Sequence, residues 1–358
     1  MATTAPHRSR ARLPLVWGVF GAIALAGLLL SACSSPAHKD AAPKPKPTTT
    51  TTSTAPPPGC PLTGEPAPGG TIPPRPALAV KIDNYPQARP QSGMDKADII
   101  FEEPVEGGIT RYVAVFQCQD STLVGPIRSA RNIDIGILGQ LGTPLLAHVG
   151  GINPVIANIN ASPLVNVDIG SSQSLEIHPA GRVAPYDTYS TTAIMYGTHP
   201  TMTTPPQPLF SYSTALPAGG TAVSTININF SGTSNVTWKW NATTSTFQRF
   251  YNGTTPDILA DGTQNAAANV IVQYVAISYG PWAENSEGGL EVQADLYPNA
   301  TGSAVVYRNG EAFPATWNRG ALGSPTQFVN SVGQVIPMRP GQTWVELVPN
   351  TIMATTTP

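Results

Sequence analysis

Leu78, Val80 and Ile82 alternate with Ala79, Lys81 and Asp83, the two-residue period of a strand with one buried face. Residues 98–103 and 109–116 are two further strand candidates, on either side of a Glu106-Gly107-Gly108 turn. The pattern then changes. Residues 123–127 read as a strand, and Ser129 is placed to cap a helix on which Ile133, Ile137, Leu138 and Leu141 share a face. Residues 145–149 read as a strand again, and Asn153-Pro154 supplies an N-cap and a first helical residue for a helix through 155–160. Strand and helix in alternation predict a layered α/β domain over residues 72–215.

Past a stretch rich in Pro and Thr (198–217), the period is that of strands alone. Ile226, Ile228 and Phe230 share one face, as do Val236, Trp238 and Trp240, and then Leu290, Val292, Ala294 and Leu296. Residues 269–277 are apolar on nearly both faces, as a central strand is, and Asn309-Gly310 marks a hairpin turn. The fold class predicted is therefore α/β: a layered sheet-and-helix N-terminal domain followed by a mainly antiparallel β C-terminal domain at 216–350, with a tail at 351–358. No fixed-period repeat suggests a propeller or solenoid.

The first 58 residues follow other rules. His7, Arg8, Arg10 and Arg12 precede an uncharged apolar run, residues 13–30. That run is long enough for a transmembrane anchor, but the order of basic, apolar and small residues is that of a secretory signal. Leu30-Ser31-Ala32-Cys33 decides between them. Small residues before a cysteine resemble the bacterial lipobox, which makes residues 1–32 a signal peptide and Cys33 the acylated first residue of the mature protein. The bilayer is then a partner through the acyl chains on Cys33. Residues 33–71 read as a Pro/Thr-rich linker, too poor in large apolar side chains to pack. The expected location is the extracytoplasmic face of the cell membrane.

With 19 Lys and Arg against 21 Asp and Glu, the chain lacks the basic excess that phosphate neutralisation requires, which sets nucleic acid aside as a partner. No Gly-x-Ser-x-Gly elbow, Walker loop, His-Glu-x-x-His or Cys-x-x-Cys pair is present. No cofactor is expected. Besides Cys33, only Cys60 and Cys118 remain, in a compartment where thiols oxidise, so one disulfide between them is predicted. The other reading is a buried free Cys118 and an exposed Cys60.

Asp83-Asn84, Arg89-Pro90-Gln91-Ser92-Gly93, Glu102, Glu106-Gly107-Gly108, Arg111 and the run from Gly125 to Arg131 resemble the YerB-like family of bacterial lipoproteins. So do the residues from Asn269 to Gln273, the Asn309-Gly310 hairpin, Trp317 and Gly341-Gln342-Thr343-Trp344. The resemblance spans 75–349 and implies a surface lipoprotein with a layered α/β fold, but no activity. Where the family commonly shows Ala-Pro-His-Asn, this chain has Ala184-Pro185-Tyr186-Asp187.

Arg75, Arg89, Arg111, Arg128 and Arg131 cluster in sequence near Asp83, Asn84, Glu102 and Glu106. Such a set either braces strands through internal salt bridges or lines a ligand cleft. The cleft reading adds Ser129, His148, Gly150 and Gly151, since two strand-to-helix junctions of a parallel sheet open on one edge. Glu102 and Glu106 could be the paired carboxylates of a glycoside hydrolase only if one strand ran through Pro104. His148, His178 and His199 show no metal-ligand spacing. Trp238, Trp240, Phe247 and Tyr251 are better placed as core than as a glycan platform. A noncatalytic binding module for a wall glycan, peptide or envelope protein is the leading reading, and a hydrolase or transferase acting on an envelope polymer is the alternative.

Overall fold

The computed structural model describes residues 59–284 and 288–358. The expected signal peptide, Cys33 and the expected linker up to residue 58 lie outside them. The first strand, β1 (Leu78–Asp83), is where the alternation places it, yet all six of its residues are buried. One wet face was expected. The second face is covered as well, and its polar side chains are satisfied there by opposite charges.

β1 pairs antiparallel with β3 (Thr110–Phe116), which pairs with β2 (Ile99–Pro104). A short helix α1 (Ile133–Leu138) follows, then β4 (Leu145–His148), α2 (Asn153–Asn160), β5 (Val165–Asp168) and α3 (Thr192–Gly197). β4 and β5 run parallel to β1. Two local expectations are corrected. Residues 123–127 form only isolated bridges, including Val124 with Ser190 and Ile82 with Ile127, because Pro126 has no N–H to extend a ladder. Ser129 caps no helix: α1 begins at Ile133 after Asn132. The intervening backbone is held extended, with Arg128 N donating to Lys81 O at 2.9 Å and Ala130 N to Gly150 O at 3.1 Å.

The C-terminal part is mainly antiparallel. It comprises β6 (Thr221–Ala222), β7 (Thr225–Asn229), β8 (Asn235–Asn241), β9 (Thr246–Tyr251), β10 (Thr255–Pro256), β11 (Ala266–Ala267) and β12 (Asn269–Val275). The hairpin of β13 (Ile277–Ala283) and β14 (Leu290–Ala294) comes next, then β15 (Ala300–Arg308) and β16 (Glu311–Arg319). β17 (Gln327–Val329), β18 (Thr343–Pro349) and β19 (Thr355–Thr357) complete it. The two parts share one sheet, in the order β17-β16-β15-β12-β18-β2-β3-β1-β4-β5, with β6 beside β16. The join is β18, which lies parallel to β12 on one side and to β2 on the other. A smaller sheet, β10-β9-β8-β7-β19 with β11 beside β9, packs against one face.

Side-chain alternation sorts the core into two layers. Ala79, Ile99, Phe101, Val113 and Val115 pack under Ile133, Ile137 and Leu138 of α1 and Val155 and Ile159 of α2. Leu78, Val80, Ile100, Tyr112 and Ala114 pack on the other face with Ile226, Ile228, Trp238 and Phe247 of the small sheet. Trp238 and Phe247 are core, as their spacing indicated.

Cys60 and Cys118 are joined in a disulfide with Cα atoms 6.1 Å apart, and both are buried. Leu62 is fully buried in the helix-side core, so the packed body takes in residues that lie before Ile72.

Candidate binding site

On the helix side of the sheet, alternation points Lys81 and Asp83 of β1, Glu103 of β2 and Arg111 of β3 the same way, with Arg111 paired across from both Asp83 and Glu103. The Glu106 turn between β2 and β3 reaches this face. Glu106 accepts from Arg131 through Nε at 3.0 Å and also through Nη2, and from Arg111 Nη2 at 3.4 Å. Arg111 Nη1 donates to Ser129 O at 3.3 Å, and Arg128 Nε to Asp83 Oδ2 at 2.7 Å. Asp83, Glu106, Arg111, Arg128, Ser129 and Arg131 therefore come together.

Four groups that the sequence reading passed over complete this cluster. Lys81 donates to Glu103 and, at 2.7 Å, to Asp134, all three fully buried. Asp134 also takes the Arg131 main-chain N–H at 2.7 Å. From the C-terminal part, Glu284 lies 3.3 Å from Arg131 Nη1. The signal for Lys81 was present in the sequence, as a cation in the middle of an apolar strand, but it reads as core only when both faces of β1 are covered.

Burial alone would raise the Glu106 carboxyl; the Arg131 hydrogen bond and the charges of Arg111 and Arg131 outweigh it and hold Glu106 down at about 2. Burial and the neighbouring Arg131 charge lower Arg111 to about 10. Glu106 is thus an anion at any physiological pH, unsuited to donating a proton. Burial pushes Glu103 up to about 7 against the pull of Lys81, but Glu103 has no solvent exposure.

Asn84 and Glu102 are not part of this cluster. Glu102 points to the opposite face, accepting from Asn84 Nδ2 at 3.2 Å, Thr110 Oγ1 at 2.6 Å and Arg249 Nη2 at 2.6 Å. Arg249 also donates to Asp257 at 2.6 Å and sits among the rings of Tyr112, Trp238, Tyr251 and Trp344. β2 ends at Pro104, so Glu102 and Glu106 form no facing pair of carboxylates.

His148, Gly150 and Gly151 lie beside the cluster. Val149 N donates to Arg128 O at 3.0 Å. Gly150 has φ 64°, a left-handed conformation that favours glycine, but its N–H is committed to Asp168 Oδ1 at 3.1 Å. His148 is held by Gly150 O at 2.8 Å and Asn166 Oδ1 at 2.7 Å. His178 contacts Glu176 and Asp187 instead, and His199 contacts Thr198. Among the described residues no group of His, Cys, Asp and Glu is arranged to hold a metal ion.

Most of the cluster is closed to solvent. The Arg131, Arg111, Glu106 and Asp83 side chains are 3%, 6%, 7% and 2% exposed, whereas Arg128 keeps 28%. Arg128 lies at the carboxyl ends of β1 and β4, where residues 126–128 bond to β1 on one side and to Val149 on the other. Beside it the rings of Tyr85 and Tyr186 are nearly parallel, with centroids 6.2 Å apart and planes 11° apart, and Arg128 Cζ is 5.6 Å from the Tyr186 ring. Tyr85 N donates to the second oxygen of Asp83 at 2.9 Å. Arg182 fixes the loop bearing Tyr186 by donating to the carbonyls of Ala88, Arg89 and Pro90. Tyr85 gave no sequence signal, and Tyr186 stood out only because it replaces a histidine.

The fold is that of a class defined by paired domains. Residues 62–202 match the N-terminal domain, and residues 226–345 the C-terminal domain, of a protein family of unknown function (DUF3048). The chain belongs to this family. It is 26% identical over 280 residues to the "Putative lipoprotein YerB" of Bacillus subtilis (strain 168), covering 76% of this chain and 81% of that protein. The crystal structure of YerB from Bacillus subtilis matches with a TM-score of 0.71 at 22% identity, over 84% of this chain and 99% of that one. The resemblance noted in the sequence is thus to the right family. No helix among the described residues is long and apolar enough to cross a membrane.

Proposed function

We propose that this chain is a lipid-anchored protein of the bacterial cell envelope whose folded body is a noncatalytic binding module for a wall component or a protein partner. The Leu30-Ser31-Ala32-Cys33 order and the name of the Bacillus relative support the anchor. One observation carries the binding role: of Arg111, Arg128 and Arg131, Arg128 is the one that keeps substantial exposure, held by a buried carboxylate and lying beside the Tyr85–Tyr186 pair. A charged fork fixed by its neighbours is suited to recognition, since little side-chain freedom is lost on binding. The acids favour binding over turnover, because Glu106 is locked in ion pairs and Glu102 faces away from it.

Co-sedimentation of the mature soluble chain with purified sacculi tests the reading. Wild type should pellet with the wall, and Arg128→Ala should lower the bound fraction about tenfold at a temperature where both chains are folded; the variant should also melt lower, because it strands the buried Asp83 carboxylate. Release of soluble wall fragments by wild type but not by Glu106→Gln would instead establish an enzyme.

A further inference from the structure

We infer that Tyr85, Tyr186 and Arg128 form a subsite for a sugar ring carrying an anionic substituent, a ligand class that rests on the binding role proposed above.

The first support is the state of the arginine. Arg128 uses Nε on Asp83 at 2.7 Å, and neither Nη group has a hydrogen-bond partner among the described residues. Asp83 is itself fixed: it is buried, and its other oxygen takes the Tyr85 N–H. The guanidinium is therefore oriented from behind and presents two free donors. That planar pair matches a carboxylate or phosphate bidentately.

The second support is the tyrosine pair. Face-to-face contact requires about 3.5–4.0 Å between carbon atoms, so nearly parallel rings with centroids 6.2 Å apart are not in full face-to-face contact and leave ring surface uncovered. Tyr85 is 37% exposed and Tyr186 half-buried. Apolar ring faces beside hydrogen-bonding groups suit a pyranose, which has C–H faces and a polar rim. The loop that carries Tyr186 is tied down by three carbonyl contacts from Arg182, so the platform exists before a ligand arrives.

The third support is position. Asp83 ends β1, His148 ends β4 and Asp168 ends β5, all parallel, and ligands of open α/β sheets bind outside such carboxyl ends. A protein partner offers a second use for exposed tyrosines, but the free fork and flat rings together favour an acidic sugar.

Isothermal titration of the mature chain with two matched disaccharides tests this. One is N-acetylglucosaminyl-N-acetylmuramic acid, and the other is chitobiose, which has the same number of rings but lacks the lactyl carboxylate. Wild type should bind the acidic disaccharide at least tenfold more tightly than chitobiose. Arg128→Gln should abolish that preference, while Tyr85→Ala and Tyr186→Leu should weaken both sugars about tenfold with melting temperatures unchanged. Equal affinity of wild type for the two sugars, or affinity unmoved by both tyrosine variants, would overturn the subsite. If neither sugar binds while sacculi still retain the protein, this inference fails and the binding role stands. If sacculi do not retain it either, the wall-binding form of that role fails with it.

Discussion

Asp98, at the entrance to β2, is fully buried. One carboxylate oxygen accepts from Cys118 N at 3.0 Å, while the other has no partner among the described residues. Burial pushes its carboxyl up to about 7, the main-chain donors of Cys118 and Gln117 pulling it back only in part. Below about pH 4 the group is protonated in folded and unfolded chains alike. Between about 4 and 7 the unfolded chain has lost a proton that the folded chain keeps, so stability falls as pH rises through that window and is level above it. Glu106 acts in the opposite sense: its stabilising contribution is complete above about pH 4.5 and is lost as pH falls toward 2. Urea unfolding between pH 4.5 and 8 should show the decline, and Asp98→Asn should reduce its slope, gaining on the order of 2 kcal/mol at pH 8, while Glu103, also pushed up to about 7, keeps part of the decline. An unchanged slope would place the effect elsewhere. At this scale, arginines were legible by type, since Arg111, Arg128 and Arg131 do converge. Lys81 and Glu103 were not, because a one-faced reading of the strands sends their side chains to water, and neither was Asp134, which lies off the apolar face read for α1.

Elements built on strong periodicity were legible to within a residue or two. β1 matches its alternation, and α2 begins one residue before the Pro154 signal implied. The failures are short segments whose backbone partners are distant in sequence. Residues 123–127 take hydrogen bonds from the loop at Thr188 and Ser190, a contact that no local pattern encodes. The same holds for the β13–β14 hairpin, whose strands were seen only in part but whose Glu291 accepts the Asn132 N–H at 3.1 Å beside α1. The disulfide was legible through scarcity of cysteine rather than through geometry. It closes a separation of 58 residues, worth about 4 kcal/mol in the chain-entropy account. Reduction, or Cys60→Ser with Cys118→Ser, should lower urea-unfolding stability by that order. A loss under about 1 kcal/mol would mean that Leu62 and its neighbours hold this segment without the bridge.

For the whole molecule, two sequence textures suggested two domains, and the chain has a layered α/β part followed by a mainly antiparallel one. What alternation could not reveal is that both contribute to one sheet. Register between β18 and β2, Thr343 opposite Ile99 through Glu346 opposite Glu102, depends on strands more than 240 residues apart, and no local period carries that information. The pairing has a measurable result. Residues 59–202 and 226–358 expressed separately should each lack a cooperative urea transition, because each half exposes an apolar edge, and mixing them should restore it. Cooperative unfolding of either half alone would show that the shared sheet is dispensable.

The same strand fixes the order of events during synthesis. A polypeptide emerges amino terminus first, and β18 occupies 343–349 of 358 residues. Until it appears, β2 and β12 each present an unpaired edge on the side that β18 will fill. Such edges recruit other chains. A ribosome that stops anywhere before Thr343 would therefore release a sticky, unclosed sheet instead of a shortened but usable protein.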